Sequence, residues 1–304
     1  MLALLRHVLL LWFLAAAVAF PAGASAATPV IGVGEQNARM FESKDWDRLG
    51  TRDVRYIVSW DALRNKWERD DTDAYLLAAG RAGARVLVGF GHSRTRSRRR
   101  TLPSPSVFRR EFLRFHKRYP YVKTYLTWNE ANHCSQPTCR RPDAAARFHD
   151  ILVEECKGCT IVAPSVLDKR DMPEWVARVE KHAKRPIKTW ALHNYIDANR
   201  FRSRGTRALL KATKAKIWFT ETGGLVRRDN GSTIEFADSP FHAVRAVKWV
   251  FKLARLSPRV QRVYFYHWVA PSADATWDSA LLDSKGRPRP ALAVIKRAVR
   301  ASKR

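Results

Sequence analysis

Acidic residues are scarce in this chain, and so are several of the motifs that announce chemistry. Against 56 Lys and Arg there are 28 Asp and Glu, for a formal net charge of +28. No Gly-rich phosphate loop is present, and no cluster of His and carboxylates has the spacing of a metal site, so nucleotide and metal chemistry lose their usual signatures. No cofactor is therefore expected. Beyond the first 27 residues no apolar run approaches the roughly 20 residues a membrane helix needs, and no span is expected. There is no low-complexity tract, no linker rich in Pro, Gly or Ser, and no internal repeat beyond an alternation of strand-like and helix-like segments. The excess of positive charge draws the chain to anionic polymers in general without specifying one; a specific nucleic-acid partner is not expected, and a monomer is.

The N-terminus reads as an export signal. Arg6 and His7 precede an apolar stretch from Val8 to Phe20, and Ala24-Ser25-Ala26 supplies an A-x-A cleavage site. Cleavage is expected after Ala26 or Ala27, leaving residues 28–304 as one secreted domain. The four cysteines lie in two close pairs, Cys134 with Cys139 and Cys156 with Cys159. Four cysteines permit three pairings. In an exported chain, two structural disulfides closing small loops are expected in preference to a redox or zinc centre.

Eight strand-like segments follow one another, each succeeded by a helical one: Val30–Val33, Val54–Trp60, Arg85–Gly91, Val122–Trp128, Thr160–Val166, Lys188–His193, Lys216–Thr220 and Arg262–Trp268. Near-continuous apolar runs of this length suit strands buried on both faces. Ser104-Pro105 and Ser239-Pro240 pair an N-cap residue with Pro at the first helical position, and Phe108, Phe112 and Phe115 repeat at helical spacing. Strand then helix, eight times, predicts an α/β fold, a single-domain (β/α)8 TIM barrel, with an open doubly wound sheet as the alternative. Five arginines between Arg94 and Arg100 fall in the loop after the third strand, where a solvated loop is expected, with a contact surface for an anionic ligand as the alternative.

Polar residues gather at the strand ends, where a barrel builds its site. Glu35, Gln36 and Asn37 follow strand one and His92 follows strand three. Asn129 and Glu130 end strand four, Asp168 follows strand five, and His193-Asn194-Tyr195 ends strand six. Glu221 ends strand seven and Trp268 strand eight. Two carboxylates presented by two strands are what glycosidic bond cleavage requires.

This pattern resembles the clan A glycoside hydrolases, retaining barrel enzymes that include many cellulases and mannanases. The resemblance spans the whole of residues 28–304 and rests on Asn129-Glu130 and Thr220-Glu221-Thr-Gly-Gly224. It implies Glu130 as acid/base and Glu221 as nucleophile. It also implies a support for the nucleophile in Arg55, sugar contacts from Asn129, His92, His193 and Tyr195, and a stacking platform in Trp268. Ala131 stands where the family often has Pro. A polysaccharide or oligosaccharide substrate is expected, with a non-catalytic carbohydrate-binding or cell-envelope protein on the same scaffold as the alternative. The acid/base role requires a raised pKa at Glu130.

Overall fold

The computed structural model describes residues 28–229 and 238–303. The expected export signal, residues 1–27, lies outside them. Eleven strands appear among these residues: β1 (Val30–Gly34), β2 (Asp53–Ser59), β3 (Arg85–Gly91), β4 (Thr124–Leu126), β5 (Thr160–Val162), β6 (Ser165–Leu167), β7 (Thr189–His193), β8 (Lys216–Thr222), β9 (Arg227–Arg228), β10 (Val260–Tyr266) and β11 (Trp277–Asp278). All but β9 and β11 form one parallel sheet in the order β5-β4-β3-β2-β1-β10-β8-β7-β6.

The two ends of that order are halves of one strand. Pro164, which has no N–H to give a ladder, separates β5 from β6. The first half pairs with β4 and the second with β7, and Ala163 N–H donates across the break to Thr189 O at 2.8 Å. Eight strands thus close into the expected (β/α)8 barrel, with the fifth split in the middle.

Inside the barrel, Leu87, Leu126, Val162, Ala191, Trp218 and Tyr264 pack together, so the interior is filled rather than open. The N-terminal end is plugged by an ionic cluster in which buried Asp53 accepts from Arg85 and, at 2.6 Å, from Arg262. Outside the strands lies the main core, into which the helices press their apolar faces. The helix Pro105–Arg118 starts as its sequence predicts, Ser104 Oγ accepting from Val107 N–H. Its Phe108, Phe112 and Phe115 each meet Phe90 of β3 edge-on, and full burial of such a ring contributes about 1.5–3 kcal/mol. Ser239 caps the helix Pro240–Ala254 in the same way. The turn after β8 lies so close to that helix that a Cβ on Gly224 would sit 2.2 Å from Ala243 O, so only Gly fits.

Both disulfides join the close pairs, Cys134 to Cys139 and Cys156 to Cys159. Of the arginine run, Arg98 pairs with the buried Asp61 at 2.8 Å and Arg94 lies 3.7 Å from the buried Glu68; Arg96, Arg99 and Arg100 are exposed. No helix among the described residues is long and apolar enough to cross a membrane.

Candidate active site

At the C-terminal mouth of the barrel Arg55 of β2 meets Asn129 and Glu130 after β4, His193 at the end of β7, Tyr195 just beyond it and Glu221 of β8 in one network. Arg55 of β2, 2% exposed, forks between two partners: Nη1 donates to Glu221 Oε2 at 2.7 Å and Nη2 to Asn129 Oδ1 at 2.5 Å. Tyr195 Oη donates to the other oxygen of Glu221 at 3.2 Å. The Glu221 carboxylate is thereby held on both sides, by a charge and by a hydroxyl. Burial first, and the charge of Glu221 second, push the Tyr195 phenol well above its ordinary range, so it stays a donor.

His193, fully buried at the end of β7, links the two carboxylates. Its Nδ1 is 3.1 Å from Glu130 Oε1 and 3.8 Å from Glu221 Oε2. Its Nε2 faces Arg55 Nη2 at 3.4 Å and Thr220 Oγ1 at 3.2 Å. Arginine only donates, so the lone pair of the ring is at Nε2 and the proton at Nδ1, directed at Glu130. One oxygen of Glu130 and one of Glu221 lie within 4.8 Å of each other. The two carboxylates and His193 are close enough together to hold a cation, but Arg55 already places a fixed positive charge against Glu221 and the imidazole.

Glu130 is one of two described non-glycine residues with positive φ, at 48°. A left-handed residue of this kind costs of order 1–3 kcal/mol unless its surroundings hold it. The holder is Ser165 of β6, whose Oγ accepts from Glu130 N–H at 2.7 Å and whose backbone oxygen accepts from Ala131 N–H at 2.8 Å. Asn132 adds a two-way clamp to Leu167, donating from Nδ2 at 3.2 Å and accepting at Oδ1 at 2.8 Å. The Cys134–Cys139 loop is tied to the same turn by Thr138 Oγ1, which donates to Ala131 O at 2.9 Å.

The acid/base role requires a raised pKa at Glu130, and the structure departs from that requirement. Burial does pull the carboxyl upward, but the His193 hydrogen bond and the surrounding positive charge, Arg55 included, outweigh it and hold Glu130 below its ordinary range.

His92 is half-buried beside the site, its Nδ1 bonded to the Gln136 side chain at 2.9 Å, and burial lowers its pKa. Trp268 does not line the cleft that contains Glu130 and Glu221: it is 2% exposed, its ring edge-on to Trp46 at 6.2 Å, and it borders a separate cavity with Glu35 and Asn37. The physical reason is register: the last barrel strand is β10, ending at Tyr266, two residues before the end the apolar run predicts. Tyr266 takes the position at the strand end, and its phenol is raised first by burial and then by Glu221 and Glu35. Its following peptide, Tyr266–His267, is cis.

Glu35 satisfies loop amides: Oε1 accepts from Gln36 N–H at 2.6 Å and Asn37 N–H at 3.1 Å, Oε2 from Trp268 N–H at 2.9 Å. It ties the end of β1 to the end of β10. Asp168 likewise accepts from Asp197 N–H at 2.7 Å and Ile196 N–H at 3.3 Å. Unlike Glu35, it lines the cleft of about 450 Å³ that also contains Glu130, Glu221 and Tyr195. Burial, with Asp197 adding, pushes its carboxyl up to about 7 against those backbone bonds. A raised folded-state pKa means that the contribution of Asp168 to stability is full below pH about 4 and is lost as pH rises through about 7. Denaturant midpoints measured from pH 4 to 8 are expected to fall more steeply for the wild type than for Asp168→Asn. A difference between the two that does not vary with pH contradicts this.

A family model described as "Glycosyl hydrolase catalytic core" matches residues 106–294, more than half of the chain. No curated protein sequence matches. Among solved structures, GH5_18 from Streptomyces cattleya in complex with GlcNAc aligns at a TM-score of 0.62 and 19% identity, over 92% of this chain and 81% of that one. Xylanase 10B from Thermotoga petrophila RKU-1 in complex with xylobiose aligns at 0.60 and 12% identity, over 91% and 96%. A fungal beta-1,4-galactanase aligns at 0.64 and 13%, over 88% and 98%. At such identities these structures speak to the fold, which they share. Family match and fold together place the chain in the glycosyl hydrolase catalytic core family.

Proposed function

We propose that residues 28–304 form an exported catalytic domain that hydrolyses a β-linked polysaccharide with retention of anomeric configuration, Glu221 acting as nucleophile and Glu130 as acid/base. The observation that carries this reading is the approach of the two carboxylates to within 4.8 Å. Retaining sites hold them about 5–5.5 Å apart, whereas inverting sites need roughly 6.5–9.5 Å to admit a water. Export is supported by the two disulfides, which belong to oxidising compartments.

Each neighbour has a task in this reaction. Arg55 and Tyr195 hold and aim the Glu221 carboxylate; Glu221 attacks the anomeric carbon as Glu130 gives its proton to the leaving oxygen. Glu130 then takes a proton from the water that releases the sugar. Asn129, its Oδ1 occupied by Arg55, has its NH2 for the sugar 2-hydroxyl. Tyr266 replaces Trp268 as the aromatic at the reacting sugar.

One observation favours a second reading, a non-catalytic carbohydrate-binding protein: the downward pKa of Glu130, which disfavours the protonated acid. Screening wild type and Glu221→Gln on a panel of β-linked polysaccharides separates the two. Hydrolysis by wild type alone is expected. Binding by both proteins with turnover by neither supports the second reading.

A further inference from the structure

The cleft that contains Glu130 and Glu221 carries a cation, Lys169, that its own acids do not use. Glu221 is answered by Arg55 and Tyr195, Glu130 by His193, and Asp168 by backbone N–H groups. Lys169, half-buried and next to Asp168 on the cleft wall, has no ion pair among the described residues. Arg228 lies on the same wall, its guanidinium 4.7 Å over the ring of Trp277. Trp277 in turn meets Tyr195 edge-on at 5.0 Å. An unbroken surface therefore runs from the proposed nucleophile through Tyr195 and Trp277 to Arg228. The two-stranded ribbon of β9 and β11 builds it, pairing Arg228 with Trp277 in register. Arg200 is close enough for its charge to act on Arg228.

We propose that the cleft selects an anionic sugar, its ring against Trp277 and its carboxylate or sulfate group reached by Arg228 and Lys169. This deepens the hydrolase reading and rests on it for the cleavage step, but not for binding. Chemically the pieces match. An aromatic face accepts the apolar face of a pyranose, and a guanidinium presents paired donors to a planar or tetrahedral oxyanion. A neutral glycan leaves Lys169 in the cleft without a counter-charge.

The excess of positive charge over the whole chain attracts any polyanion, so the test must separate local from general attraction. Matched oligosaccharides serve: a β-linked uronate oligosaccharide with its carboxyl-reduced form, and a sulfated one with its desulfated form. Binding is measured by calorimetry on Glu221→Gln and turnover on the wild type, at about 0.15 M ionic strength, where free charges are screened beyond roughly 8 Å. One anionic member is expected to bind about tenfold or more tightly than its neutral partner, as a charge-assisted hydrogen bond implies. Whichever pair shows the preference identifies carboxylate or sulfate. Lys169→Met and Arg228→Met are each expected to reduce the ratio, and together to bring it near one. Arg110→Ala with Arg114→Ala, two exposed positions on the helix Pro105–Arg118, is expected to leave it unchanged. Equal or better binding of both neutral members overturns the inference, as does a preference that survives loss of Lys169 and Arg228. Selective binding without turnover upholds the inference and removes the hydrolase reading; turnover of neutral and charged forms alike does the reverse.

Discussion

Glu221→Gly is expected to lose turnover by about 10⁴-fold or more, and added azide is expected to restore glycosyl transfer, yielding a glycosyl azide of the opposite anomeric configuration to the substrate. Without its carboxylate the enzyme has no nucleophile on that face of the sugar, and no group that stands in for it. The substitution leaves a space between Arg55 Nη1 and Tyr195 Oη, the two donors that hold the carboxylate at 2.7 and 3.2 Å. Those donors attract a small anion and aim it at the anomeric carbon. Arg55 is buried, and removing the partner of a buried charge costs about 3–5 kcal/mol, so the variant is expected to melt earlier than the wild type. Glu221→Gln, which fills the space, is the comparison: inactive to the same degree but not rescued. Rescue with the same configuration as the substrate contradicts the assignment of Glu221.

Glu130→Ala is expected to lower kcat/KM by about 10²–10⁴-fold on glycans whose leaving alcohol needs a proton. Aryl glycosides with acidic phenol leaving groups need little protonation, so they are expected to react with Glu221 at near wild-type speed and then stall before water releases the sugar. Azide speeds that second step, here with the configuration of the substrate retained. The pH profile carries more information. Glu130 works as an acid in its protonated form, and in the free protein the His193 hydrogen bond and nearby positive charge outweigh burial and hold its pKa down. Activity governed by it is therefore present below that pKa and lost as pH rises through it, which puts the alkaline limb of kcat/KM on the acid side. His193→Ala removes the hydrogen bond and leaves burial to act, so the limb is expected to move upward. A limb that stays in place excludes His193 as its cause.

The barrel itself was legible because strands buried on both faces announce themselves as apolar runs, and β3 begins and ends where its run does. Ser104 and Ser239 marked two helix starts for a local reason, a side-chain oxygen within reach of the first free N–H groups. Asn129 and Glu130 stood out as polar residues closing an apolar run. Apolarity does not say where a strand stops, however. The run through Val260 to Val269 continues past the end of β10, which hid Tyr266 behind Trp268. The strand expected over Thr160–Val166 is instead broken between β5 and β6 at Pro164, a residue without a ladder N–H.

Less accessible were the residues that act at a distance in sequence. Ser165 supports Glu130 from 35 positions away, and a lone serine in a strand carries no mark of that role. The β9 and β11 ribbon joins the loops after the last two barrel strands by only two residue pairs. Arg228 and Trp277 meet there, and neither segment has strand character alone. The direction of the Glu130 pKa was equally hidden, because it depends on whether burial or the facing imidazole prevails.

Product configuration at early times tests the central proposal most directly. Proton NMR of a β-linked oligosaccharide during cleavage, before the released sugar mutarotates, is expected to show the β anomer accumulating first. Initial release of the α anomer would mean inversion, and would contradict the reading of Glu130 and Glu221 as a retaining pair.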